Sequence, residues 1–305
     1  MQTVRGEPAI NISGIIIVDK PAGWTSHDVV AKLRGALKTK RIGHGGTLDP
    51  IATGVLPLFI GHATRAAEFC ENAEKEYIAG IRIGLTTDTQ DITGATIEEK
   101  APNVTLDELK AAIMRFRGAQ KQIPPMYSAI KQNGKKLYEL ARRGVTVPRE
   151  ARDVRIHEIE LLGGSGADYL LKVVCSKGTY IRTLCHDIGI SLGCGAAMSS
   201  LRRTRACSYT IEAAHTLESV LQSASSTGDL GGIILPTDSI FAGYKAIALN
   251  GMDTRKCING AELRIMGHAD GMYRLYGPDD GFLALGEIVK GETRIIKRFF
   301  EVTQQ

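Results

Sequence analysis

The run His44-Gly-Gly-Thr-Leu-Asp-Pro-Ile-Ala-Thr-Gly-Val-Leu-Pro57 sets one carboxylate, Asp49, among glycines and prolines. Gly45, Gly46 and Gly54 allow close backbone approach or a positive φ, and Pro50 and Pro57 fix φ. Such a loop holds Asp49 in one place instead of on a mobile helix face. A carboxylate held that way can be a nucleophile, a general base or the cap of a turn. No Gly-Lys-Ser/Thr follows, and no G-x-G-x-x-G follows a strand, so phosphate cradling is a weak reading of these glycines. Basic residues supply the second kind of chemistry. Lys131 to Arg155 holds eight Lys/Arg against three Asp/Glu, an excess equal to the net charge of the whole chain, +5. Lys32, Arg34, Lys38, Lys40 and Arg41 form a second patch, and Arg202, Arg203 and Arg205 a third. Localised basic patches on a near-neutral chain suit a polyanion bound along one face; solvated helix faces are the bland alternative.

Composition narrows the classes. The 305 residues suffice for one large and one small domain, and 43% hydrophobic with 23% charged residues is ordinary for a globular protein. No apolar run approaches the roughly 20 residues that span a bilayer. Met1 to Ile12 carries charge and lacks a signal-peptide core, so the sequence reads as cytoplasmic. Cys70, Cys175, Cys185, Cys194, Cys207 and Cys257 show no C-x-x-C spacing, which predicts reduced thiols packed in the core and no metal site.

The elements that must position the loop follow from periodicity. Gly14 to Lys20 predicts a buried strand, and Thr25 or Ser26 caps a helix with Val29, Val30, Leu33 and Leu37 on one face. Tyr77 to Gly84 alternates as a strand does. Thr105-Leu-Asp-Glu108 is a capping box for a helix ending at Gly118. Val154–Leu162 and Tyr169–Cys175 predict strands, and Tyr180–Leu192 a helix. Mixed elements without a βαβ repeat predict an α+β fold with a mixed, mainly antiparallel sheet. The basic stretch at about 124–152 reads as a surface insertion with a short helix at Lys136–Arg142. Short β-rich runs from Lys245 to Val302 predict a small C-terminal β-barrel. The expected domains are therefore 1–242 and 243–305.

Several segments stand out together: the Gly-Thr-Leu-Asp49-Pro core, Asp19-Lys-Pro-Ala-Gly-Trp-Thr-Ser26, Lys75-Glu-Tyr77, Gln122-Ile-Pro-Pro-Met-Tyr-Ser-Ala-Ile-Lys131, Gly134–Gly144 and Ser176-Lys-Gly-Thr-Tyr-Ile-Arg-Thr-Leu184. Together they resemble the motifs of the TruB-type tRNA pseudouridine synthases. The likeness spans about residues 14–240 and is looser beyond. It implies a pseudouridine synthase-like catalytic domain and isomerisation of uridine 55 in the tRNA T-loop, with base flipping. Asp49 would be the essential carboxylate and Arg182 its partner. Tyr77 would stack on the extracted base and serve proton transfer at C5. Tyr180 and Leu201 would pack around the base, His44 would meet the RNA near the vacated stack, and Lys20 would contact backbone or phosphate. A guanidinium beside Asp49 is expected to lower its pKa. Isomerisation exchanges no electrons, so neither cofactor nor metal is implied. The basic insertion would close over the T-arm and the C-terminal region would be a PUA-like RNA-binding domain. The enzyme is expected as a monomer that works without a guide RNA.

Two other classes compete. An RNA-binding protein that assists tRNA folding would show the same basic patches. A sugar-active hydrolase would need Asp49 and a second carboxylate such as Glu76 at a fixed separation, and would leave the basic patches unexplained. Attack at C1′, attack at C6 and a glycal route are all compatible with one essential aspartate.

Overall fold

The structure, a computed structural model, describes residues 12–132, 134–226 and 230–300. The reading of residues 1–11 lies outside them. β1 (Gly14–Lys20) buries Ile16 and Val18 on one face and Ile15 and Ile17 on the other. Thr25 caps α1 (Ser26–Ala36) by accepting from the Asp28 amide, and Asp28 accepts from the Thr25 amide in return. β2 (Ile42–His44) and β3 (Thr53–Ile60) bracket the loop that carries Asp49. α2 (Ala67–Asn72), β4 (Lys75–Ile83) and the hairpin of β5 (Leu85–Thr87) and β6 (Thr96–Glu99) follow. α3 (Leu106–Met114) has the expected capping box. It stops short of Gly118, which has φ +101° and instead opens β7 (Gly118–Gln122).

The basic segment contains β8 (Lys131–Gln132), β9 (Lys135–Lys136) and α4 (Leu137–Ala141), anchored by the buried Leu137. β10 (Arg152–Ser165) and β11 (Asp168–Cys175) lead to α5 (Ile181–Leu192) and β12 (Ala196–Ala206). β13 (Tyr209–Thr210), β14 (His215–Thr216) and α6 (Leu217–Ser226) complete this part.

These strands form one ten-stranded sheet in the order β14-β1-β3-β12-β4-β11-β10-β7, with β2 beside β3 and β13 beside β12. The β1/β14 and β3/β12 pairs are parallel and the others antiparallel. The α+β, mainly antiparallel expectation therefore holds. On one face Val29 and Leu33 of α1, Leu109 of α3, Leu184 and Ile188 of α5 and Val220 of α6 pack against Ile16, Leu56, Ala79 and Leu171 of the sheet. Burying an apolar stripe from each helix against an apolar sheet face is the main stabilising contribution.

The C-terminal part differs from the expected barrel. β15 (Lys245–Ala248), β16 (Gly271–Tyr276), β17 (Phe282–Val289) and β18 (Glu292–Arg298) form a four-stranded sheet in the order β15-β16-β17-β18, with α7 (Gly251–Asn259) between β15 and β16 in the chain, and no closed barrel is found among the described residues. Both faces of this open sheet are covered. Cys257 of α7 packs with Ile247, Leu275 and Ile288, while Leu285 and Phe299 join Ile15 and Phe59 of the large sheet's second face and Phe241 of the short helical turn Thr237–Phe241. Arg65 Nη1 also donates to the carbonyls of Arg298 and Phe300.

The cysteine reading needs correction too. Cys70 and Cys207 are joined by a disulfide, and the other four are buried free thiols. A sequence separation of 137 residues gives no spacing signal; the pair meets because α2 packs beside the end of β12.

Phe299 stacks on Phe282 with centroids 5.1 Å apart and leans on Phe241 at 5.5 Å. Truncating Phe299 to alanine opens a cavity in the layer joining the two sheets, so Phe299→Ala should cost about 3–5 kcal/mol in denaturant unfolding. A loss under about 1 kcal/mol would mean that the small sheet does not support the large one.

Candidate active site

The Asp49 loop is fixed from below by hydrogen bonds that its own sequence does not advertise. Ser26 Oγ accepts from the Leu48 amide at 2.8 Å, the Gly23 amide donates to Pro50 O at 2.8 Å, and the Ala52 amide closes a turn on Asp49 O at 3.0 Å. Arg203 of β12 lies beneath. It is 1% exposed, and its guanidinium donates to Val55 O at 2.7 Å, Gly46 O at 3.1 Å and Thr47 O at 3.4 Å. Glycine is required where the loop touches its supports. A Cβ on Gly54 would fall 2.2 Å from the Arg203 carbonyl oxygen, and one on Gly45 would fall 2.7 Å from Cys70 Sγ.

Above this floor Arg182, in the first turn of α5, points Nε at Asp49 Oδ2 at 3.0 Å. Its other nitrogens are also occupied: Nη1 donates to Thr89 O at 3.1 Å and Nη2 to Tyr127 O at 2.9 Å. A second carboxylate, Asp91, lies 3.6 Å from Nη1 and is itself held by the hydroxyls of Thr89 and Thr93. The side chain of Gln122 pins the start of α5, accepting from the Tyr180 amide at 2.7 Å and donating to Tyr180 O at 3.0 Å. Arg182 therefore approaches Asp49 along a direction set by a buried frame.

The electrostatic outcome differs from the expectation. The Asp49 pKa is raised, not lowered. Desolvation is the largest influence, Arg182 pulls the other way, and the charge of Asp91 pushes up again. The Asp49 side chain is still 38% open to solvent, so a ligand can reach it. Tyr77 projects from β4, in register with Val173 of β11 and Arg203 of β12. Burial raises its pKa and Arg203 only partly offsets this, so the phenol is neutral at ordinary pH. Tyr180 is half-buried, with its pKa raised by burial and by the nearby Asp49 charge.

The remaining expected residues fall as follows. Leu201 is buried on β12, opposite Ala79. His44 ends β2 with a buried Nδ1 that has no partner among the described residues, and burial first, then Arg203, lowers its pKa toward a neutral ring. Lys20 is fully buried rather than solvated, and its amine donates to Pro21 O at 2.8 Å and Trp24 O at 2.6 Å. Burial lowers the Lys20 pKa to about 8, against the pull of Asp49. Asp91, Gln122 and Arg203 are the functional-site residues that sequence reasoning missed. The signal for Arg203 was its place within an arginine cluster at the end of an apolar strand. Nothing local marked Asp91. Among the described residues no group of three or more His, Cys, Asp or Glu side chains could hold a metal.

The chain is similar to known proteins over nearly its whole length. Residues 34–181 match the model of the TruB family pseudouridylate synthase N-terminal domain, and residues 182–242 that of the tRNA pseudouridylate synthase B C-terminal domain. The chain is 41% identical over 290 residues to tRNA pseudouridine synthase B of Azoarcus sp., covering 95% of this chain and 96% of that one. It is 39% identical to the protein of the same name from Actinobacillus succinogenes, covering 94% and 95%. Among solved structures, a Cbf5-Nop10-Gar1 complex contains a chain that superposes with a TM-score of 0.73 at 28% identity, over 94% of this chain and 85% of that one.

Two stability predictions follow from the charges. Because the folded-state pKa of Asp49 is raised, ionising it near pH 7 opposes folding, and this penalty fades as pH falls through that pKa. Asp49→Asn should therefore melt at or above the wild-type temperature at pH 7; a clearly lower melting temperature would refute this balance. Removing Arg182 leaves Asp49 and the buried Asp91 without their shared cation, so Arg182→Met should lose about 3–5 kcal/mol in denaturant unfolding.

Proposed function

This chain belongs to the TruB family of pseudouridylate synthases, and from that premise we propose that it isomerises uridine 55 of the tRNA T-loop to pseudouridine, with Asp49 as the essential carboxylate. Pseudouridylation of tRNA is the activity of the tRNA pseudouridine synthase B family to which it is so similar. The observation that carries the finer reading is the Asp49–Arg182 pair, 3.0 Å apart at an accessible position in an otherwise buried frame.

The reaction breaks N1–C1′, joins C5 to C1′, and moves one proton from C5 to N1. Atoms and electrons balance within the nucleoside, so the proposal calls for neither cofactor nor metal. Asp49 must be ionised to act. Arg182 favours the carboxylate, while burial strips it of water and leaves it more reactive than a solvated one. Uridine in a folded loop is stacked and must be extracted. Tyr77, neutral and flat, suits stacking on the extracted base, and its hydroxyl is our candidate for proton transfer at C5. Tyr180 and Leu201 are our candidates for packing around that base, and the neutral His44 ring suits a stack on the RNA side.

Lys131, Lys135, Arg142, Arg143 and Arg152 are exposed on the basic insertion, whose root is tied to the site through the Tyr127 carbonyl that Arg182 holds. They are our candidates for phosphate contacts along the T-arm. We propose that it acts as a monomer without a guide RNA, in the cytoplasm, where tRNA is met. No helix among the described residues is long and apolar enough to cross a membrane.

Pseudouridine mapping of an unmodified tRNA transcript, incubated with purified protein and no added metal or cofactor, tests the proposal. One new pseudouridine in the T-loop is expected. Tight binding without product would instead favour a tRNA-folding assistant. Asp49→Asn should bind tRNA yet form no product, and Tyr77→Phe should keep affinity while single-turnover rate falls about 100-fold or more. Because the pKa of Asp49 is raised, wild-type activity should decline on acidification at a pH above that expected of a free aspartate, about 3.9. A rate unchanged down to pH 4 in protein that stays folded would count against an essential ionised Asp49.

A further inference from the structure

A cleft of about 820 Å³ opens beside the catalytic loop, and of its lining residues only Lys20 has been given a role so far. Its walls include Pro21 and Trp24 from the turn after β1, Asp19 and Arg202 from the sheet, and Leu221 and Gln222 from α6. Trp24 is the only tryptophan of the chain and is half-buried against the core. Two features tie the cleft to the active site. The Gly23 amide, in the same turn as Trp24, donates to the carbonyl of Pro50, the residue after Asp49. Lys20 and Thr53, which also line the cleft, sit at the end of β1 and at the return of the catalytic loop into β3.

The charges here are already satisfied. Arg202 is held by Asp19 through Nη2 at 2.8 Å and Nη1 at 3.3 Å, Lys20 directs its amine to backbone carbonyls, and Glu218 adds a negative charge to the wall. Such a cleft does not favour a phosphate. An indole beside a fixed guanidinium–carboxylate pair suits a neutral planar group that both stacks and hydrogen-bonds along its edge, as a nucleobase does. Extracting one base from a folded loop also leaves its neighbours with broken stacks.

We infer that this cleft is a second base subsite: an unpaired base next to the target uridine in the same RNA lies against Trp24, with Arg202 and Asp19 at its edge. The inference rests on the RNA-modifying reading of Asp49, and its test separates the two. Asp49→Asn protein is titrated with fluorophore-labelled T-arm RNA while anisotropy reports binding and Trp24 emission reports the cleft. Emission should fall at least about twofold in step with binding. An abasic replacement at one nucleotide flanking the target should restore it while anisotropy still shows complex. Trp24→Leu should weaken binding about tenfold, whereas Trp24→Phe, which keeps an aromatic face and serves as the folding control, should stay within about twofold. Binding with unchanged emission overturns the inference. So does quenching that survives an abasic site at every flanking nucleotide, or equal quenching by free nucleoside monophosphate, which would make the cleft a small-molecule site. If no RNA binds, the subsite falls with the reading beneath it. Pseudouridine formed by wild-type protein whose Trp24 emission never changes removes the subsite alone.

Discussion

A guanidinium taken out of water must find acceptors, and Arg203 finds them in the loop that presents Asp49. Its bonds to the carbonyls of Gly46, Thr47 and Val55 satisfy the buried charge and hold the loop at the same time. The rest of the site depends on that constraint. β12 supplies Arg203 and Leu201, pairs with β4 to set the register of Tyr77, and pairs in parallel with β3 where the loop returns to the sheet. Slipping β4 by one residue would turn Tyr77 to the far face, and slipping β12 would leave Arg203 without its acceptors.

The second level is an alternation of charge, Asp49–Arg182–Asp91, with only its outer member open to solvent. Arg182 alone would hold Asp49 as a strong, unreactive ion pair. Burial and the second carboxylate oppose that pull, and the net result is a carboxylate whose pKa is raised yet which remains paired. Orientation comes from α5, whose start is clamped by Gln122, and from the carbonyls of Thr89 and Tyr127. Tyr127 belongs to the root of the basic insertion, so the segment proposed to meet RNA is in direct contact with the arginine that orients the carboxylate.

The small sheet at the C-terminal end is built into the same economy of surface. One of its faces is covered by α7 and the other by the aromatic layer around Phe241, Phe282 and Phe299. The regularly spaced β-runs of residues 245–300 form this open four-stranded sheet. The disulfide between Cys70 and Cys207 joins α2 to the end of β12 on that side of the large sheet, and Cys70 sulfur fills the space that a side chain at Gly45 would need.

Local chemistry in the chain was enough to locate β1, the capped helices α1 and α3, the strands β4, β10 and β11, and the loop with Asp49. Each depends on near neighbours: alternation, helical spacing, capping boxes, and glycines or prolines that restrict φ. The pairing of Asp49 with Arg182 was legible as well, although only through the resemblance of ordered motifs. What depends on residues far apart in the chain was decided by the tertiary structure. Asp91 and Arg203 become parts of the site only when the sheet brings them to the loop, Cys70 finds Cys207 across 137 residues, and Lys20 turns inward although an isolated lysine reads as solvated. The sign of the Asp49 pKa shift belongs to this second group. Desolvation is the sum of everything packed around a group, and no stretch of sequence contains that sum.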